Sequence, residues 1–249
     1  MRKWKNLFVL LMLMVFLAGL FVFLYPHLRG AVAEDQIRQS ADDFLEQLPF
    51  VTEVTQPDGT GETETPPRRY PELWEAMNAY NEAIYEDGQV GLSGMDTYEA
   101  PSFILADYGL ESEAFGVLTI PALNFEMPIF LGATKQHLSD GVAHLSQTSL
   151  PIGGNNTNAV IAGHRGWYGA DYLRYIEKLP IGDEVIVTNL WEELHYAVCE
   201  IRIIEPYEVE QILIQPNREL LTLLTCHPYA SGGRQRYLVF CERIDKGGH

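Results

Sequence analysis

Three short strings carry side chains that could perform acyl transfer together: TLLTC at residues 222–226, AGHRG at residues 162–166 and RYLVF at residues 236–240. Each sets a thiol, an imidazole or a guanidinium at the edge of an apolar run. A sheet would hold the backbone there while the side chain reaches into a cleft. A cysteine can attack an acyl carbon, a histidine can protonate the leaving amine, and an arginine can stabilise the oxyanion that forms in between. A single cysteine in an apolar run is more often a small core hydrophobe than a nucleophile. The three contexts together point to a cysteine acyltransferase built on His164, Cys226 and Arg236.

Competing residues sort by context. His164 follows the strand-like AVIA and precedes Gly166, where a strand gives way to a loop. His144, in the loop-like AHLSQTSLP, is a candidate wall of the same site, with a packing role as the alternative. His227 adjoins Cys226, but consecutive strand residues face opposite sides, so it should point away from the thiol. His27, His137, His195 and His249 have no supporting context and default to solvent or packing. Arg234 follows Ser231-Gly232-Gly233 in a turn-like stretch, whereas Arg236 directly opens a strand. Transition-state stabilisation needs preorganised charge, which favours Arg236.

Cys226 must be a thiolate to attack, a state that a His164 imidazolium and Arg236 would favour. Attack gives a tetrahedral oxyanion facing Arg236, with Thr225 as a substrate-binding donor or a backbone N–H as a second one. His164 then protonates the departing amine, and an incoming amine resolves the thioester. If Cys226 stays free, Cys199 and Cys241 are the only possible bridge. Both sit in strand-like runs, so a disulfide and two buried thiols stay open, because a bridge needs Cα atoms within about 7 Å. No C-x-x-C or H-E-x-x-H occurs. Neither a metal nor a cofactor is therefore expected.

The elements that must position these groups are mostly strands. From residue 115 onward, short apolar runs (VLTI, MPIFL, NAVIA, EVIVT, HYAVCEIRII, LLTLLT, RYLVFCERI) are separated by Gly, Pro, Asn and Asp. Such spacing reads as a mainly β fold, a closed barrel or sandwich. Residues 168–177 are the one plausible helix in this half.

The N-terminal half reads as anchor and approach. Arg2, Lys3 and Lys5 precede residues 7–25, which carry no charge, and Glu34 and Asp35 lie beyond. As a helix that run would be about 28 Å long, close to one hydrocarbon thickness. The basic flank predicts a cytoplasmic N-terminus and an extracellular remainder. Ala31-Val32-Ala33 has the small-x-small pattern of a signal-peptide site, the alternative to an uncleaved anchor. Ile37, Ala41, Phe44, Leu45 and Leu48 suggest a short amphipathic helix outside the bilayer, and residues 52–69 a disordered stalk. Leu73, Met77, Tyr80 and Ile84 predict a second helix from Pro71, ended by residues 88–94. Irregular, acidic and aromatic residues 95–113 follow, with Tyr98 and Phe103 as candidate plugs of a lid. Asp96, Glu99 and Asp107 are its candidate partners for a cleft arginine. The formal charge of −17 argues against nucleic acid or anionic lipid as a partner.

The chain between residues 115 and 245 resembles the sortases, thiol transpeptidases of Gram-positive cell surfaces. The strings that carry the likeness are GVLTIPALNFEMPIFLGA, AHLSQTSLPIGG, NTNAVIAGHRG, LPIGDEVIV and TLLTCHPY. It most resembles the class C, pilin-polymerising branch. The resemblance implies an eight-stranded β-barrel with His164, Cys226 and Arg236 as catalytic residues. It also implies cleavage of an LPXTG-like sorting signal between Thr and Gly, and transfer of the acyl group to a pilin lysine. A peptidoglycan cross-bridge amine is the alternative acceptor, and a non-catalytic tethered binding module the alternative of another class. Class C enzymes usually carry an Asp-Pro-aromatic lid triplet, and no Asp-Pro dipeptide occurs here. They commonly end in a second span, whereas this chain stops at Lys246-Gly-Gly-His249. The expected organisation is a cytoplasmic tip and signal anchor (1–33), a juxtamembrane helix and stalk (34–70), a helix with candidate lid (71–114) and a catalytic barrel (115–245). The expected location is the cell membrane, single-pass, with the catalytic part outside.

Overall fold

The computed structural model describes residues 2–48, 68–93, 99–167 and 170–245. The candidate stalk, apart from Arg68 and Arg69, lies outside the described residues, as do Asp96 and Tyr98 of the candidate lid.

Eight strands close into a barrel: β1 (Ala114–Ile120), β2 (Phe125–Leu131), β3 (Val142–His144), β4 (Thr157–Ala162), β5 (Glu184–Asn189), β6 (Glu193–Ile204), β7 (Glu219–His227) and β8 (Gln235–Arg243). Their order around the barrel is β1-β2-β3-β4-β7-β8-β6-β5. Pairing is antiparallel except for β2 with β3 and β4 with β7, which run parallel. The barrel interior is filled by alternate residues of these strands, among them Leu118, Ile129, Ile161, Val187, Leu221, Leu223 and Val239. This is the barrel that the resemblance implied.

The helices differ from expectation in one respect that matters. The apolar run and the amphipathic stretch form a single helix, α1 (Arg2–Glu46), with no break between anchor and juxtamembrane segment. Its residues 7–25 are exposed along their whole length, as a span facing lipid would be. Further on, Ile37, Ala41, Phe44 and Leu48 are buried on the barrel. Burying an Ile, Phe or Leu side chain contributes about 1.5–3 kcal/mol. The end of α1 is therefore part of the folded domain.

Helix α2 (Pro71–Glu86) starts with proline at its first turn and buries Leu73, Met77 and Ile84, as the stripe predicted. Tyr80 is only half-buried, and the fourth buried position is Asn81. Its amide clamps the helix to the barrel, donating to Leu150 O (3.3 Å) and accepting from Leu150 N (2.7 Å). The helix expected in residues 168–177 is, over its described part, a 3₁₀ helix, Tyr172–Lys178. A short α-helix that sequence reasoning missed, α3 (Lys135–Asp140), is capped by Thr134.

Candidate active site

Register brings the three chemistry-bearing residues together. Parallel pairing of β4 with β7 sets Ala162 beside Leu224. Just past the end of β4, Gly163 N donates to Leu224 O (3.1 Å) and Thr225 Oγ1 donates to Gly163 O (2.8 Å). His164, the next residue, therefore emerges beside Cys226. On the other side of β7, Cys226 lies directly opposite Arg236 of β8. Adjacent strands are about 4.8 Å apart, so imidazole, thiol and guanidinium occupy three neighbouring positions on one rim.

The side chains share a cleft of about 320 Å³, whose lining includes His164, Thr225, Cys226, Arg236 and Glu99. Its walls are largely apolar: Ala133, Leu138, Leu145, Ile204, Val209, Ile212 and Leu224. Arg236 is held by two backbone carbonyls, donating from Nη1 to Gly233 O (2.7 Å) and Gln235 O (3.1 Å). Gly233 sits over the site with φ +78°, and a Cβ there would lie 3.3 Å from both the Cys226 sulfur and Arg236 Nη1. Glycine thus permits the β7–β8 turn to cover both groups at once. Arg234 is exposed on the same turn.

His164 is half-buried, stacked on Trp167 (ring centroids 4.5 Å apart, planes at 16°) and edge-on to Tyr172 (5.7 Å). Its backbone carbonyl accepts from Leu173 N (3.0 Å). Burial holds the imidazole below its ordinary pKa. A nearby thiolate is the countercharge that would restore the imidazolium.

Thr225, expected as a substrate-binding donor, is 1% exposed, and its hydroxyl proton is committed to Gly163 O. It ties the end of β7 to the peptide that carries His164, which is a positioning task. His144 is not a wall of the cleft. It is fully buried, with Nε2 against Thr148 O (3.3 Å) and Ser149 O (3.0 Å), and burial pushes its pKa down to about 4. His227 points away from the thiol, as strand alternation required, and its Nδ1 accepts from Arg165 Nη1 (2.7 Å).

Arg165 is the residue that sequence reasoning missed. It is buried, donates to Cys226 O (3.3 Å) as well as to His227, and pairs with Glu177. It therefore locks the end of β7 where the thiol emerges. The available signal was its place beside His164 in AGHRG. All three thiols are free. Cys241 is buried in the barrel, and burial drives its thiol pKa well up; burial also raises that of Cys199. Cys199, by contrast, is only half-buried, so the structure matches neither the bridge nor a pair of fully buried thiols.

Of the candidate lid, Glu99 alone among the described residues reaches the cleft. Ser146 Oγ donates to Ala100 O, and Glu99–Pro101 backbone packs so closely on Gly132 that a Cβ there would lie 2.7–2.8 Å away. Phe103 is not a plug. It packs edge-on to Tyr80 (5.8 Å) and beside Tyr108 (6.2 Å), outside the cleft.

Comparison with known proteins points to one family. A family model described as the sortase domain matches residues 118–244. "Sortase D" of Bacillus subtilis is 29% identical over 134 residues, a match covering 53% of this chain and 65% of that protein. The chain thus spans slightly less than two thirds of that relative's length. Among solved structures, a mutant of sortase C-1 from S. pneumoniae is 28% identical with a TM-score of 0.66, covering 86% of this chain and 100% of that one. Sortase C1 of GBS Pilus Island 1 is 30% identical with a TM-score of 0.63, covering 72% of this chain and 90% of that one.

Proposed function

The chain belongs to the sortase family, and on that premise we propose that it is a membrane-anchored cysteine transpeptidase of the class C type. The observation that carries this reading is the three-strand register: His164, Cys226 and Arg236 sit side by side at the ends of β4, β7 and β8, over an apolar cleft. Cys226 attacks the carbonyl of a sorting-signal amide as the thiolate. The developing oxyanion faces Arg236, whose guanidinium is held by Gly233 and Gln235 carbonyls and so needs no reorganisation during the step. His164 donates its proton to the departing amine, leaving a thioester on Cys226. A second amine then attacks, returns a proton to His164 and releases Cys226. The largely apolar walls suit an LPXTG-like peptide whose non-polar side chains enter the cleft.

A pilin lysine is the favoured acceptor, because the solved structures that this chain resembles are class C sortases, one of them from a pilus island. A peptidoglycan amine is the alternative acceptor. Residues 7–25 of α1 supply the membrane span, with the barrel outside the cell. Residues 95–113 act as a lid without an Asp-Pro triplet, Glu99 being the acidic group that lines the same cleft as Arg236.

Trapping the acyl-enzyme tests the reading. With an LPXTG-bearing peptide, wild-type protein should show a thioester adduct by intact mass. Cys226→Ala should show none, while Cys199→Ala and Cys241→Ala retain it. An adduct that survives Cys226→Ala, or resides on Cys199, overturns the assignment.

A further inference from the structure

The direction of α1 relative to the barrel fixes which end of the barrel faces the membrane. Just beyond the apolar run, Ala31, Glu34 and Asp35 of α1 line one hollow with Leu123–Met127, Asp171, Tyr172 and Tyr175. There Glu34 accepts a hydrogen bond from Asp171 N (2.8 Å). The contacted rim holds the end of β1 and the start of β2. Pairing directions then identify the other strand ends on it. β2 runs parallel to β3, β3 antiparallel to β4, β4 parallel to β7, and β7 antiparallel to β8. The end of β4, the end of β7 and the start of β8 therefore share this rim, and these ends carry His164, Cys226 and Arg236. The catalytic rim is the membrane-proximal rim.

The separation is short. From Tyr25 to Ala31 is six residues of continuous helix, about 9 Å, scarcely more than the roughly 5–8 Å that headgroups add to each leaflet. Loops of this rim also present large apolar side chains to solvent: Trp167 (43% exposed), Ile181 (62%), Tyr229 (50%) and, across the barrel mouth, Tyr207 (75%). Arg174 stacks on Tyr229 (4.4 Å) and Lys178 on Tyr175 (4.0 Å). Aromatic rings flanked by long basic side chains are the residues that settle at a lipid–water interface.

We infer that the barrel docks its catalytic rim on the bilayer that α1 spans, through Trp167, Ile181 and Tyr229, so that the cleft opens at the membrane surface. The inference rests on the reading of α1 as a membrane anchor. The occupant of the rim is the lipid interface itself, because α1 carries the rim there. Glu34, Asp35, Asp171 and Glu177 share this end with Arg174 and Lys178, so insertion of aromatic and aliphatic side chains, not charge, holds it. Trp167 has a second duty. Its ring stacks on His164, so the side chain that meets lipid also orients the imidazole. An enzyme placed in this way acts on amide bonds presented close to the bilayer surface.

The chain's four tryptophans provide the test with internal controls. Trp4 lies at the start of α1, Trp167 lies on the catalytic rim, and Trp74 of α2 meets Trp191 edge-on (4.9 Å). Full-length protein labelled with 5-fluorotryptophan is placed in phosphatidylcholine nanodiscs carrying a headgroup-level spin-labelled lipid. Fluorine resonances are assigned by single Trp→Phe variants. The Trp4 and Trp167 lines should broaden, while those of Trp74 and Trp191 stay sharp. The Trp167 effect should persist in about 1 M salt, where the screening length is about 3 Å, and should be lost in the double variant Ile181→Asp/Tyr229→Ser. A broadened Trp4 with a sharp Trp167 overturns docking and leaves the anchor intact. A sharp Trp4 overturns the anchor and docking together. Loss of the Trp167 effect in salt overturns the aromatic basis of the contact.

Discussion

Thr225→Val separates positioning from substrate binding at the centre of the proposed site. Valine keeps the branched shape of this buried side chain and removes only the hydroxyl that donates to Gly163 O at 2.8 Å. A buried carbonyl left without its donor costs about 1–3 kcal/mol, and the unfolding free energy should fall by that amount in urea titration. The lost tether also frees the peptide that carries His164 from β7. Displacing a catalytic group by about 1 Å lowers the rate by roughly 10². Single-turnover thioester formation from a saturating LPXTG-like peptide should accordingly slow by about 10–10². KM should change little, because the cleft keeps its shape. Thr225→Ser, which restores the donor, should recover both stability and rate. A Thr225→Val protein of unchanged stability and turnover but raised KM would refute this reasoning and make the hydroxyl a direct substrate contact.

Other perturbations follow from the same geometry. Arg236→Ala should lower single-turnover rate by about 10²–10³, the usual loss for a preorganised oxyanion donor, while the exposed Arg234→Ala stays near wild type; the reverse ranking would exchange their roles. Shortening residues 95–113 should speed alkylation of Cys226 by a small thiol reagent in a variant whose circular dichroism is unchanged, and an unaltered rate would remove the lid. His144 makes stability depend on pH. Its imidazole titrates near 6.5 when unfolded but at about 4 when buried, so protons favour the unfolded chain. Stability is full above pH 6.5 and falls as pH drops from 6.5 towards 4, at up to about 1.4 kcal/mol per pH unit from this group. His144→Gln should flatten that slope in urea unfolding, and an identical slope would locate the dependence elsewhere.

Strand content was legible in the sequence because strands of a closed barrel alternate or run apolar. VLTI, MPIFL, NAVIA, EVIVT, HYAVCEIRII, LLTLLT and RYLVFCERI fall in β1, β2, β4, β5, β6, β7 and β8. The eighth strand, β3, has three residues, too few to show a period, and is not among the apolar runs. Helix type was less legible. Leu173 and Ile176 are three apart, a spacing that 3₁₀ and α-helices share, and the backbone took the tighter form. The division of α1 into anchor and separate helix failed for a different reason. Composition changes sharply between residues 25 and 34, but a change of solvent is not a change of backbone. One helix passes from lipid-like exposure to burial on the barrel without breaking.

Context singled out Cys226, His164 and Arg236 as candidates, yet their adjacency depends on numbers that no local pattern encodes. Strands β4 and β7 pair with a constant offset, Thr157 with Glu219 through Ala162 with Leu224, and that offset carries His164 to Cys226. A slip of one residue would turn every β7 side chain to the other face, sending Cys226 into the wall of the barrel and His227 into the cleft. Burial prevents the slip. Leu221 and Leu223 fill the interior, Leu220 and Thr222 are buried on the opposite face, and Thr222 Oγ1 donates to Asn158 Oδ1 (2.7 Å) across the two strands. Arg165 adds a further restraint at the open end, donating to Cys226 O and His227 alongside the Thr225 tie to Gly163. The register of the proposed site is thus specified by core residues away from the cleft and by one buried arginine that its neighbours hold in place.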